Sequence, residues 1–253
     1  MRLDWKCFGR RQQSATASEE RTSVSGEPDP NTMLTMNNYG RQLSDDEIRQ
    51  KAHRSFVGGL WDDIGALQLE FLKKQGLTPS HKLLDVGCGA LRGGLHFVRY
   101  LDPGNYYGID VNASLIRAAW FELEEARLAT RAPRLIVDGR FAFDTLGTMF
   151  DFALAQSLFT HLPLNSIDRC LTKIADVLVP GSRLFATYFE APAIHHIADM
   201  EQPLGFVTHG DSDPYHYHYS AFEWLVRELP LRVRNIGAWG HPRNQHMLEF
   251  TRC

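Results

Sequence analysis

Short apolar runs alternate with amphipathic stretches from Lys82 to about Tyr188, which is the pattern of βαβ units on a parallel sheet. Strands are expected at 82–86, 106–109, 134–137, 151–155 and 183–188. Apolar residues at helical spacing fit 91–101, 112–129 and 163–178, with Pro163 suited to a first turn and Pro180-Gly181 to a stop. A further helix, 221–229, opens on a capping box made by Ser220 and Glu223. Two strand-like runs, 231–238 and 245–251, close the chain, and the turn from Gly240 to Asn244 leaves no room for a crossover helix, so they must pair antiparallel. The expected fold is α/β: a doubly wound, mostly parallel seven-stranded sheet with a C-terminal antiparallel β-hairpin.

Ahead of the first strand the pattern differs. Residues 1–43 are rich in Arg, Gln, Ser, Thr, Glu and Pro without a sustained apolar period, and read as a disordered tail. Residues 44–76 read as N-terminal helices covering the ligand site: a capping box (Ser44, Glu47) starts the first, Gly58-Gly59 breaks it, and Ile64, Leu67, Phe71 and Leu72 share one face of the second. Trp61 and the glycine pair either pack these helices on the sheet or form a lid. The remainder, 77–253, reads as one ligand-binding domain with an insertion at about 191–219.

Composition narrows the function. Lys+Arg number 27 against 30 Asp+Glu in 253 residues, a formal net charge of −3, which lacks the basic excess that phosphate neutralisation demands and argues against a nucleic-acid partner. No apolar run approaches the length of a spanning helix or a signal peptide, so no membrane association is expected. Cys7, Cys88, Cys170 and Cys253 are widely separated, with no C-x-x-C, which fits a reducing, cytoplasmic setting. Nothing in the sequence sets an oligomeric state.

The chemistry concentrates at the carboxyl ends of the strands. Asp85-Val86-Gly87-Cys88-Gly89 is a strand feeding a glycine turn that opens a helix, where backbone can approach a nucleoside closely. Arg92 occupies the third position of a G-x-G-x-x-G pattern, and Asp85 beside the turn is poorly suited to a pyrophosphate but well suited to an ammonium. Asp110 ends the second strand, where an acid accepts ribose hydroxyls, and Asp138 ends the third, within reach of an adenine amine. Three acids thus describe an amine, a ribose and an adenine without phosphates, which is S-adenosylmethionine.

With these residues in view, the chain from about Ser55 to Arg252 resembles the class I S-adenosylmethionine-dependent methyltransferase family, whose fold is the Rossmann-like one expected above. The resemblance implies that Gly87, Cys88 and Gly89 line the methionine part, that Asp110 with Val111 takes the ribose, and that Asp138 with Gly139 takes the adenine edge. It further implies that Gln156 and Ser157, after the fourth strand, lie where cofactor meets acceptor. The family often carries another glycine at position 91; Leu91 stands there, so Arg92 or Gly93 is expected to share the turn.

The resemblance implies a small-molecule methyl acceptor. Histidines able to take a proton near neutrality favour an oxygen acceptor, and His161, His209, His216 and His218 are the candidate bases. The insertion from Thr208 to Tyr219 concentrates three His and three Tyr and should overhang the methyl group. His209-Gly210-Asp211, with His216, His218 or His246, has the make-up of a two-His-one-carboxylate metal site, but such sites belong to barrel scaffolds, and no metal is expected. His195-His196 reads as a helix-surface pair and His53 as a helix-face residue. Two rival readings use the same strands: an NAD-dependent oxidoreductase, disfavoured by Asp85 and Arg92, and a non-catalytic adenosylmethionine-binding module.

Overall fold

Leu83–Val86 (β1) is buried along its whole length, as a strand covered on both faces must be. In a computed structural model that describes residues 38–192 and 197–253, β1 pairs in parallel with Tyr106–Asp110 (β2) on one side and Phe150–Ala155 (β4) on the other. Arg134–Val137 (β3) lies beyond β2, and Leu178–Glu190 (β5) beyond β4. The hairpin of Leu231–Ala238 (β9) and His246–Arg252 (β10) adds antiparallel to β5, giving the order β3-β2-β1-β4-β5-β10-β9. These are the seven expected strands. An eighth, the two-residue His216–Tyr217 (β8), pairs with the end of β5, and the insertion also holds a separate hairpin, Met200–Gln202 (β6) with Phe206–Thr208 (β7).

Three local expectations are corrected. Pro180-Gly181 does not end a helix: Leu164–Ala175 (α6) stops earlier, and the pair sits in a wide bulge of β5, between the partners of Phe150 and Phe152, with Gly181 at φ +86°. The helix after the glycine turn, Gly94–Tyr100 (α4), starts later than position 91 because Leu91 takes φ +70°, a left-handed conformation incompatible with a helix interior. Leu91 therefore fills the place of the family's glycine itself, its side chain wholly buried. Ser220 does not cap the last helix, Ser220–Val226 (α7): it lies inside it, and its hydroxyl is engaged by the His218 Nδ1 at 2.7 Å.

The N-terminal helices are held by one buried charge cluster. Ser44 caps Asp45–Arg49 (α1) with Glu47 answering as expected, but the break comes at Lys51 (φ +60°), before the glycine pair, and a separate turn of helix follows at Ala52–Phe56 (α2). His53 is fully buried, 2.7 Å from the Glu122 carboxylate on Ala113–Glu125 (α5), and Arg54 grips both oxygens at 2.7 and 2.8 Å. Burial alone would raise the Glu122 pKa, yet the bonds from His53 and Arg54 overcome it and hold it down at about 2.

The ordered chain also begins before Ser44. Leu43 is buried and clusters with Ile48, Ala90, Leu115 and Ala118, while its N–H donates to the Ser114 hydroxyl at 2.9 Å. Asn112, the N-cap of α5, donates its side-chain amide to the carbonyls of Tyr39 and Arg41 at 2.7 and 2.9 Å. The expected tail is thus a packed strap over at least residues 39–43, and its first 37 residues lie outside the described residues, as does the His195-His196 pair. No described helix is long and apolar enough to cross a membrane.

Candidate functional site

A cavity of about 300 Å³ opens over the carboxyl ends of β1, β2 and β4, the crevice where open α/β sheets take ligands. Its floor is the turn after β1. Gly87 adopts φ +74°, and a Cβ there would meet Leu158 at 3.1 Å, so only glycine brings the backbone this close. Asp110 fixes the turn from the neighbouring strand: its two carboxylate oxygens accept from the N–H groups of Gly89, at 2.9 Å, and Asn112, at 2.8 Å. Burial raises the Asp110 pKa, and these backbone donors counter it.

Asp85 lies in the same wall, 4% exposed, and accepts a 2.6 Å bond from the Tyr106 hydroxyl. Burial pushes its pKa up to about 7, although the Tyr106 bond pulls the other way. Such a carboxyl is poised to pair with a cation entering the cavity. Arg92, 9% exposed, supplies the opposite charge. Its Nη1 donates to the carbonyls of Val57 and Gly59, both at 3.0 Å, and no acid pairs with it among the described residues. Burial and then the Arg243 charge lower its pKa to about 10.

Across the cavity, Gln156 and Ser157 follow β4. The Gln245 side-chain oxygen accepts from the Thr187 hydroxyl, the Ser157 hydroxyl and the Gln156 amide at 2.8, 3.0 and 3.3 Å, which fixes the Gln156 side chain. The remaining Gln156 oxygen is buried with no partner. A buried acceptor left this way is costly unless a ligand donor meets it. His161 stands one short turn further along and lines the cavity, its Nδ1 2.6 Å from the Asp213 carboxylate and its ring edge-on to Tyr39 at 4.9 Å. The insertion delivers Asp213 because Tyr215 N–H donates to the Thr160 carbonyl at 2.7 Å and the Tyr217 hydroxyl to that of Leu162 at 2.7 Å.

Residues 84–184, from β1 to β5, match the family model described as a methyltransferase domain. This stretch is a methyltransferase domain, and the fold around it is that of class I, S-adenosylmethionine-dependent methyltransferases. Solved structures share its fold. A magnesium protoporphyrin IX methyltransferase from Synechocystis, crystallised with bound S-adenosylmethionine, aligns at 15% identity and TM-score 0.53 over 88% of this chain and 90% of that one. A Clostridium acetobutylicum S-adenosylmethionine-dependent methyltransferase aligns at 10% identity and TM-score 0.59 over 81% and 98%. A putative O-methyltransferase from Nostoc punctiforme aligns at 15% identity and TM-score 0.59 over 76% and 57%.

Of the residues singled out from the methyltransferase sequence, Asp85, Gly87, Cys88, Gly89, Asp110, Val111, Gly139, Gln156, Ser157 and His161 all line the one cavity. Asp138 does not. Its Oδ2 turns back to accept from the N–H groups of Arg140 and Ala142 at 2.9 and 3.1 Å, and shapes the loop that places Gly139 and Phe141 in the wall. Three of the four histidines are also corrected, since none of them lines the cavity. His209 pairs with Asp199 at 2.7 Å, His216 is buried against the Thr208 hydroxyl at 2.9 Å, and His218 is engaged with Ser220. Among the described residues no group of His, Cys, Asp or Glu is arranged to hold a metal ion.

The sequence reading passed over Tyr39, Arg92 as a ligand group, and Asp213. Leu43 directly before the Ser44 cap was the available signal for the strap. An apolar residue at that position packs against one a turn into the helix, here Ile48, and marks ordered chain ahead of the cap. For Asp213, the histidines around it drew the chemistry, and nothing local pairs it with His161.

Proposed function

We propose that this domain transfers the methyl group to an oxygen of a small-molecule acceptor, with His161 as general base and Asp213 as its positioning residue. The observation that carries the reading is the 2.6 Å bond between His161 Nδ1 and the Asp213 carboxylate in the wall of the glycine-loop cavity. A carboxylate accepts only, so it selects the tautomer with the proton on Nδ1 and leaves Nε2 as the basic nitrogen. The orphan Gln156 oxygen offers a second polar anchor on the same wall.

The donor set fits S-adenosylmethionine. Asp85 suits its ammonium and Arg92 its carboxylate. The backbone of Gly87, Cys88 and Gly89 borders the methionine chain, Asp110 with Val111 the ribose, and Gly139 with Phe141 the adenine edge. When bound, this cofactor supplies a methyl carbon already activated by a sulfonium. The protein then needs only to align the acceptor, exclude water and remove one proton. Tyr39, on the strap, covers the cavity beside His161 and serves the exclusion.

Calorimetry with S-adenosylhomocysteine, followed by transfer assays over a panel of hydroxyl and amine acceptors, tests the reading. His161→Ala is expected to keep the product affinity and to lose transfer by ~10²–10⁴-fold, the usual scale for removing a general base. Asp213→Asn is expected to move the pH profile of transfer while keeping that affinity. Wild-type turnover in both variants, or transfer to amines alone, overturns it.

A further inference from the structure

Trp61–Lys74 (α3) buries Ile64, Gly65, Gln68, Phe71 and Leu72 along one face, so an amide stands in the middle of an otherwise apolar stripe. The helix enters from a turn that two arginines pin. Arg92 holds the carbonyls of Val57 and Gly59, and Arg243, from the β9–β10 loop, donates to that of Gly58 at 2.6 Å. From there α3 crosses the glycine turn at close range: a Cβ on Gly65 would collide with the Arg92 carbonyl oxygen. Gln68 follows three residues later on the same face and is laid over Gly93. Gly93 has ordinary right-handed backbone, φ −84° and ψ −35°, which any residue adopts. What excludes a side chain there is Gln68 itself, since a Cβ on Gly93 would collide with its Oε1 and lie 3.0 Å from its Nε2. The amide oxygen therefore rests on the turn, and the nitrogen lies farther out.

Gln68 is 3% exposed, it lines the cavity, and nothing among the described residues hydrogen-bonds its side-chain amide. An amide desolvated in this way is costly until a partner meets it. The corner that it shares is the one with Asp85 and Arg92. Gly93 follows Arg92 in the chain, and a Cβ on the next residue, Gly94, would lie 2.5 Å from the Tyr106 hydroxyl that donates to Asp85. Asp85 also shares with Leu83 the face of β1 that α3 covers through Phe71 and Leu72. The other charged groups of the wall belong elsewhere. Asp110 is bonded to the Gly89 and Asn112 amides, Asp213 is paired with His161, and Arg169 stands on α6, which packs with Leu84 and Val86 on the opposite face of the sheet.

We propose that Gln68 is a cofactor-binding residue whose Nε2 donates to the carboxylate of S-adenosylmethionine beside Arg92, so that α3 reads the amino-acid end of the ligand. This rests on the assignment of the cavity to that cofactor and adds to it a neutral donor from the N-terminal cover. Arg92 spends its Nη1 on the two carbonyls of the turn, and a carboxylate has acceptor sites for both a guanidinium and an amide. Because Oε1 rests on Gly93, the nitrogen is the end of the amide that is offered. A ligand with the adenosine and the amine but no carboxylate leaves that donor unanswered, which makes Gln68 a residue of cofactor specificity.

The test measures two ligands by calorimetry: S-adenosylhomocysteine and its decarboxylated analogue, which keeps the adenosine and the ammonium. Gln68→Met retains the length of the side chain and removes the amide. It is expected to weaken S-adenosylhomocysteine about ten-fold or more, the scale of a hydrogen bond to a charged group, and to change the analogue by less than about threefold. The ligand-free melting temperature should hold or rise, because the variant removes a buried polar group that has no partner. Gly93→Ala, whose methyl displaces the amide, should give the same selective loss, and the double variant should lose no more than the larger of the two. Unchanged S-adenosylhomocysteine affinity in Gln68→Met, an equal loss for both ligands, or losses that add in the double variant overturns the proposal. Failure of the wild type to bind S-adenosylhomocysteine would instead defeat the cofactor assignment itself.

Discussion

Asp85 should make cofactor affinity depend on pH in a way that a single substitution removes. In the ligand-free protein burial pushes this carboxyl up to about 7, Tyr106 and Arg92 work against the rise, and Asp110 adds to it. A ligand ammonium seated against Asp85 requires the carboxylate, so below pH 7 binding must expel a proton. The sign follows from the raised value: affinity is fully present above about pH 7 and is lost as pH falls through it. With that pKa the ionised fraction drops from about three quarters at pH 7.5 to about 3% at pH 5.5, which weakens S-adenosylhomocysteine binding roughly 25-fold, or about 2 kcal/mol. Calorimetry in two buffers of different ionisation enthalpy should detect release of nearly one proton at pH 5.5 and about a quarter of one at pH 7.5. Asp85→Asn should flatten the profile and, at pH 7.5, weaken binding by ~1.5–3 kcal/mol, the range for a hydrogen bond to a charged group. Among the groups around Asp85, Tyr106 and Cys88 are pushed up by burial and Arg92 lies at about 10, so none of these titrates in this window. A wild-type affinity that is flat from pH 5.5 to 7.5, with no proton release, would refute the reasoning.

Two further outcomes concern the elements that cover the site. Glu122→Gln leaves His53 and Arg54 without their buried acid and should destabilise the fold by ~2–4 kcal/mol, measured by urea unfolding at pH 7. The wild type should lose a comparable stabilisation as pH falls from about 4.5 to about 2, because a depressed carboxyl pKa contributes above its unfolded value and vanishes below its folded one. Leu43→Ala removes the buried anchor of the strap and should cost ~2–3 kcal/mol, seen as a melting temperature lower by roughly 5–10 °C. An unchanged melting temperature would show that the strap is not packed in solution.

Local pattern was enough for the architecture. A strand buried on both faces is mostly apolar and a helix on its flank must repeat every three or four residues, so Leu83–Val86 and the amphipathic α6 are written in the sequence itself. The glycine turn and the strand-terminal Asp85 and Asp110 were legible for the same reason, since each is defined by its place at the end of a strand. Where a local rule met a competing partner it failed: Ser220 gave up its cap to His218, and Leu91 accepted a strained φ in exchange for burial. What only the tertiary structure decided is which distant groups share a wall. Nothing within a few residues of His161 shows that Asp213 will reach it across the insertion, that Tyr39 will fold over it from the strap, or that Gly58 will bring Arg92 and Arg243 together. Nor does spacing reveal that His209, His216 and His218 are spent on Asp199, Thr208 and Ser220. A side chain's chemistry is set by its identity, but its availability is set by whichever polar group the packed chain places beside it, and that choice is made only when the whole core closes.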